Sequence, residues 1–202
     1  MNMQETGVNP FDLSGKAAIV TGGNGGIGLG IARGLARAGA MVAILGRNEA
    51  KSNEAARQLQ EEFGSPVQVL TADVTLPSEL EHAVARTVSA FGRVDILFNN
   101  AGINIRKPPQ DLTLTEWSTV LDTNLTSAFV MSKAVYPEMK RVGGGKIINI
   151  GSMTSIFGSS FAAAYATSKG GIVQLTKSLA LAWPADGIQV NAILPGWFDT
   201  EL

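Results

Sequence analysis

The sequence predicts an α/β fold, a doubly wound parallel sheet in three α/β/α layers, and three observations carry that prediction. Short apolar, β-branched runs alternate with longer stretches whose apolar residues recur every three or four positions. The short runs are apolar nearly throughout, so both faces of each strand need helices over them. Glycine, proline, asparagine or aspartate bounds the runs, as turns require.

In chain order, a first strand over 16–20 passes through a glycine-rich turn into a helix over 27–38 that ends at Gly39. A second strand over 41–45 leads to a helix over 48–63 closed by Gly64. A third over 67–74 leads to a helix over 77–91 closed by Gly92. The fourth strand, 94–98, precedes one long helix over 115–141. The fifth, 146–150, precedes a helix over 163–183, and a sixth strand covers 188–194. Right-handed crossovers between such units put ligand sites at the carboxyl ends of the strands. No repeat, linker or low-complexity tract divides the chain, and 202 residues suit one domain over 1–202.

Composition removes several classes of function. Lys and Arg total 16 against 17 Asp and Glu, a net charge of -1, with no basic block to track a phosphate backbone; nucleic acid is not an expected partner. Without cysteine there is no disulfide, thiolate nucleophile or zinc–thiolate site. The one histidine, His82, has nothing nearby to complete a metal or hydrolase site and reads as a surface or packing residue. The opening MNMQETGVNPF lacks an apolar signal core, and no apolar run would span a bilayer. A soluble, cytoplasmic protein with no membrane partner is expected.

The turn at the first carboxyl end is TGGNGGIG, from Thr21 to Gly28. Gly22 permits a sharp exit from the strand, Gly26 lets backbone N–H groups approach a pyrophosphate, and Gly28 lets the helix sit close to the sheet; Asn24 lies within the same turn. The helix N-terminus adds positive potential for an anion. Strand, turn and helix in that succession read as a Rossmann-type, dinucleotide-binding unit. Asp73 and Val74, at the end of the third strand, and Asn100, Ala101 and Gly102, after the fourth, face the same crevice. Asp73 either accepts a hydrogen bond from an adenine amine or caps a turn. The small Ala101 and Gly102 let a flat ring or ribose lie against backbone, whereas Asn100 either joins that surface or clamps two strands together.

Tyr165 and Lys169 stand four residues apart in a helical stretch, which stacks a phenol and an ammonium on one face. An ammonium about 5 Å away at an effective dielectric of about 20 favours the phenolate by roughly 3 kcal/mol, which would bring the tyrosine pKa to ~8 and make it a proton relay. Ser152, closing the fifth strand, could donate to a carbonyl oxygen within reach of the tyrosine. Asn124 sits inside the long helix, where asparagine is a mediocre helix former. It either holds a water bridging to Lys169 where the main chain opens, or makes an interhelical hydrogen bond.

With TGGNGGIG, NNAG, a serine, YATSK and PGWFDT in this order along nearly its whole length, the sequence resembles the short-chain dehydrogenase/reductase superfamily. The resemblance implies a catalytic tetrad of Asn124, Ser152, Tyr165 and Lys169, with Tyr165 the general acid/base. It also implies that Lys169 binds nicotinamide ribose hydroxyls, that Ile27 lies at the dinucleotide, and that Pro195, Gly196 and Thr200 place the carboxamide. The implied reaction moves hydride between nicotinamide and a secondary alcohol or ketone, with no metal required.

NADP is favoured over NAD. Gly46 stands where an NAD-binding acid is expected, and Arg47 beside it would meet a 2′-phosphate, or else is a solvated loop cation. Against this, Gly25 stands where many NADP-preferring relatives carry a basic residue. The segments from Phe11 to Lys16 and from Asn104 to Pro108 are similar to relatives acting on gluconate-type sugar acids and polyols, and Arg106 or Lys107 would attract a carboxylate there. The same catalytic residues serve reductases of 3-oxoacyl thioesters, the rival enzyme reading; a nucleotide-binding regulator is the rival outside enzymes. The resemblance further implies a homotetramer built on the long helices, and a lid and last strand that would follow Leu202.

Overall fold

The computed structural model describes residues 9–198. Six parallel strands form one sheet: β1 (Ala17–Thr21), β2 (Met41–Gly46), β3 (Val67–Thr71), β4 (Ile96–Asn99), β5 (Gly145–Ile150) and β6 (Ile188–Ile193). Their order is β3-β2-β1-β4-β5-β6, as expected of a doubly wound sheet. The order in which strands are added to the sheet reverses between β1 and β4, and a crevice opens there at the carboxyl ends.

Alternate side chains of each strand enter two separate cores. Ala18 and Val20 of β1, with Val42 and Ile44 of β2, pack under α1 (Gly26–Arg37) and α2 (Glu49–Phe63). Ile19, Ala43 and Leu45 point the other way, with Leu97 and Ile147, beneath α3 (Pro77–Phe91), α5 (Ser127–Arg141) and the end of α6 (Ala163–Ala182). Ala17 to Val20 and Val42 to Leu45 are completely buried, which is why these runs show no polar alternation. Gly64 and Gly92 end α2 and α3 in the left-handed conformation, as anticipated.

Two expectations change. The single helix over 115–141 is two helices, α4 (Leu114–Leu121) and α5, joined by a π turn over Asp122–Thr126. A residue is looped out of the α ladder there, and Asn124 lies in its middle. The third strand stops at Thr71 instead of Val74, because Asp73 starts a turn: its Oδ1 accepts from the Thr75 N–H at 2.9 Å and from the Thr75 hydroxyl at 2.8 Å. His82 is exposed on α3. Among the described residues, no helix is long and apolar enough to cross a membrane.

Candidate active site

The glycine turn leaves β1 at Thr21, whose hydroxyl accepts from the main-chain N–H groups of Asn100 at 2.9 Å and Ala101 at 3.0 Å. Asn100 answers across the gap, donating from Nδ2 to the carbonyls of Thr21 at 3.0 Å and Gly22 at 3.2 Å. These bonds lace β1 to β4 at the crevice, so Asn100 is a clamp and also part of the cavity wall. Thr21 is a positioning residue that the sequence reading passed over, although it opens the motif. Gly22 has a φ of 64°, which a side chain would strain. Gly28 is needed for a different reason from the one expected: a Cβ there would lie 2.1 Å from the Gly22 carbonyl oxygen, so it is the turn itself, more than the sheet, that requires the close approach.

A cavity of about 380 Å³ opens above this turn. Gly22, Asn24, Gly26, Ile27 and Gly28 form its floor, Arg47, Asp73 and Val74 one wall, and Asn100, Ala101 and Gly102 the other. The first turn of α1 faces it with no side chain capping the free N–H groups and no acidic residue in that turn, whereas Asn48 caps α2 and Thr113 caps α4. Four orphan donors at a helix start fit a pyrophosphate. The carboxylate of Asp73 serves its own turn, and Arg47 lies 4.0 Å from its second oxygen. Lys51, in the first turn of α2, reaches the same cavity and was missed by the sequence reading. The N-cap Asn48 was its available signal, since the cap fixes which way the first turn of α2 faces.

A second cavity of about 360 Å³ adjoins the first, sharing Ile27, Asn100 and Gly102 with it. Ser152, Tyr165 and Lys169 meet here, with Arg106, Pro195 and Gly196 around them. Thr200 lies outside the described residues. Ser152 leaves β5 in an extended conformation, and its Oγ accepts from the Thr154 N–H at 3.2 Å. Lys169 is buried, donates to the Ile150 carbonyl at 2.7 Å, and has its pKa lowered by that burial to about 8.

The expected electrostatics are reversed. Burial pushes the Tyr165 hydroxyl above its ordinary value of 10.0, while a hydrogen bond with Ser152 and the charge of Arg106 pull it back only in part. Lys169 contributes no lowering because its amine is bound to Ile150, is itself driven toward neutrality, and sits 5.6 Å from the centre of the tyrosine ring. Asn124 follows its blander alternative in part. Its amide pairs with both main-chain groups of Ile103, at 2.8 and 2.9 Å, and donates to Ser168 of α6 at 3.0 Å. The main-chain opening imagined for a water is nonetheless present as the π turn.

Arg106 and Lys107 part company. Lys107 pairs with Glu116, and its N–H donates to the Phe161 carbonyl at 2.9 Å, tying two loops together. Arg106 lines the second cavity, and no acidic group among the described residues pairs with it. Residues 16–202 match the family described as short chain dehydrogenase.

The chain belongs to the short-chain dehydrogenase family. As such it is an oxidoreductase acting on CH–OH groups. It is 40% identical over 192 residues to a gluconate 5-dehydrogenase of Gluconobacter oxydans, covering 95% of this chain and 75% of that one. A 3-oxoacyl-[acyl-carrier-protein] reductase of Chlamydia muridarum is 38% identical over 190 residues, covering 94% of this short-chain dehydrogenase and 77% of the relative. The crystal structure of L-sorbose reductase from Gluconobacter frateurii, complexed with NADPH and L-sorbose, superposes with a TM-score of 0.93 at 33% identity, covering 96% of this chain and 73% of that one.

Proposed function

We propose that this short-chain dehydrogenase is an NADP-preferring oxidoreductase of a secondary hydroxyl in a sugar acid or polyol. The supporting observation is the continuity of the two cavities at Ile27, Asn100 and Gly102, with a glycine turn at one end and Ser152, Tyr165, Lys169 and Arg106 at the other. Gly22, Asn24, Gly26, Ile27 and Gly28 would hold the pyrophosphate against α1, and Arg47 the 2′-phosphate. Asp73 and Val74 would border adenine, Asn100, Ala101 and Gly102 the ribose, and Pro195, Gly196 and Thr200 the carboxamide. Bound there, the dinucleotide supplies the hydride acceptor for oxidation and the donor for reduction.

The chain's own residues handle the oxygen. Ser152 and Tyr165 hydrogen-bond it, and Tyr165 takes the alcohol proton in oxidation or returns it in reduction. Lys169 binds the ribose hydroxyls and, with Asn124, keeps the tyrosine side of the site ordered. Arg106 draws the substrate carboxylate toward the second cavity. A homotetramer is proposed too: Phe129 of α5 and Leu181 of α6 remain exposed on the long helices, and light scattering tests it. A cytoplasmic setting is proposed from the family match, and cell fractionation tests it.

The test is a screen of cofactor reduction, NADP beside NAD, over sugar acids, polyols and 3-hydroxyacyl thioesters. Turnover confined to thioesters would favour the reductase reading carried by the Chlamydia relative, and no turnover on any alcohol would favour a nucleotide-binding regulator. With Arg106→Ala, KM for sugar acids should rise about tenfold, the scale of one lost charge-assisted hydrogen bond, while polyols change little. An unchanged specificity constant for sugar acids removes Arg106 from substrate binding.

A further inference from the structure

We infer that Lys51, reaching from the first turn of α2 over the glycine turn, is a second cation for the 2′-phosphate of the dinucleotide and the residue that sets cofactor choice. The inference rests on the NADP reading above and names the group that would carry it.

Gly25 has φ -171° and ψ 168°, an extended backbone open to any residue, so conformation does not require glycine there. Space does. A Cβ on Gly25 would lie 2.9 Å from the Lys51 ammonium nitrogen and 3.0 Å from its Cε, so the lysine occupies the volume over the turn that a side chain at position 25 would fill. Its placement is built in: the Asn48 side chain caps α2 by accepting from the Lys51 N–H at 3.0 Å. Helical side chains lean toward the N-terminus of their helix, which aims this one back at the end of β2 and the glycine turn.

The surroundings favour a phosphate over a ribose hydroxyl. Asn24 donates to the Ser52 hydroxyl at 2.9 Å, and Ser52 donates to the Asn48 carbonyl at 2.9 Å, fastening the turn to α2. That fastened amide fills the place of any side chain at position 46, where a Cβ would fall 2.6 Å from Asn24 Nδ2. An acid that would bond the 2′-hydroxyl therefore has no room at the end of β2. Arg47 lies on the same cavity wall, but it is 72% exposed and has Asp73 as a counter-charge, so water and a carboxylate weaken its hold. Lys51 is only partly exposed, stands on a capped helix and lines the same cavity, which adds a second positive charge there.

Titration calorimetry with adenosine 2′,5′-bisphosphate and with 5′-AMP on the full chain tests this without turnover. Wild type should bind the bisphosphate more tightly. Lys51→Ala should weaken the bisphosphate about tenfold or more, shift 5′-AMP by less than about twofold, and flatten the salt dependence, with Lys51→Arg recovering most of the difference. If wild type discriminates but Lys51→Ala leaves the bisphosphate affinity within about twofold, the assignment is overturned and the NADP reading stands. An equal loss for both ligands makes Lys51 a prop for the glycine turn and also overturns it. If wild type fails to prefer the bisphosphate, the NADP reading falls, and Lys51 with it.

Discussion

Lys169 donates its ammonium hydrogen to the carbonyl oxygen of Ile150 at 2.7 Å, where β5 ends and the loop bearing Ser152 begins. The bond fastens the middle of α6 to the sheet and keeps a cation inside the crevice. Its amine lies 5.6 Å from the centre of the Tyr165 ring, so one side chain fixes both the strand end and the helix face on which the tyrosine stands.

A buried cation of this kind leaves a signature in stability. The folded pKa of Lys169 is about 8, against an ordinary 10.5. Between those values the unfolded chain binds more protons than the folded one, so stability rises with pH through this window, and below it the penalty of the buried charge is fully present. In urea unfolding, the difference between wild type and Lys169→Met should climb by at most about 1.4 kcal/mol per pH unit from about pH 8 to pH 10.5 and stay flat below about pH 7. A flat difference throughout would show that the amine titrates as it does in water.

Tyr165 is expected to limit the reaction through its proton. Tyr165→Phe should lower kcat about a thousandfold while dinucleotide affinity, followed by fluorescence or calorimetry, stays within about threefold. Retained turnover would move the proton transfer to another group.

The tyrosine's acidity gives a separate, signed expectation. Burial raises it, and the positive charge of Arg106 lowers it. Removing that charge with Arg106→Ala should therefore carry the rising limb of the pH profile for alcohol oxidation to higher pH, and Arg106→Lys should carry it back. The direction is independent of whether Arg106 also touches substrate, because uncharged alcohols should show it too.

Much of this was legible before the structure. The strands announced themselves because Ala17 to Val20 and Val42 to Leu45 are buried on both faces, which leaves no room for polar alternation. Gly64 and Gly92 marked helix ends because their left-handed backbone disfavours other residues. The π turn around Asn124 was legible only as one of two alternatives, since a single looped-out residue hardly disturbs a helical pattern. Asp73 was read as strand end because its turn is made by its own side chain with Thr75, a local bond that competes with the ladder. The sign of the Tyr165 shift was lost for a three-dimensional reason: spacing of four residues puts Lys169 on the same face, but only the fold shows its amine turned to Ile150. Lys51 escaped because its meaning depends on the space that Gly25, on a different element, leaves for it.

Asn100 should matter to stability beyond its place in the cavity. Its Nδ2 serves the carbonyls of both Thr21 and Gly22, and Asn100→Ala leaves both without that donor. A loss of about 1–3 kcal/mol in denaturant unfolding is expected, together with weaker dinucleotide binding as the turn loosens. Asn100→Asp should be worse than alanine, since a carboxylate would face two carbonyl oxygens.

A matched pair of glycines on α1 separates the needs of the turn from those of the helix. At Gly28 a Cβ would come within 2.1 Å of the Gly22 oxygen and 2.5 Å of Asn100 Nδ2, and neither can retreat without breaking the bonds that close the turn. Gly28→Ala should cost about 3 kcal/mol or more and abolish dinucleotide binding. At Gly30, two residues further along the same helix, a Cβ would meet nothing within 4 Å, and φ is not positive. Gly30→Ala should instead stabilise the protein by about 0.4–1 kcal/mol, through a less flexible unfolded chain and better helix propensity, and leave dinucleotide affinity alone. Equal effects at the two positions would mean that the close approach of Gly28 to the turn is not what holds the glycine there.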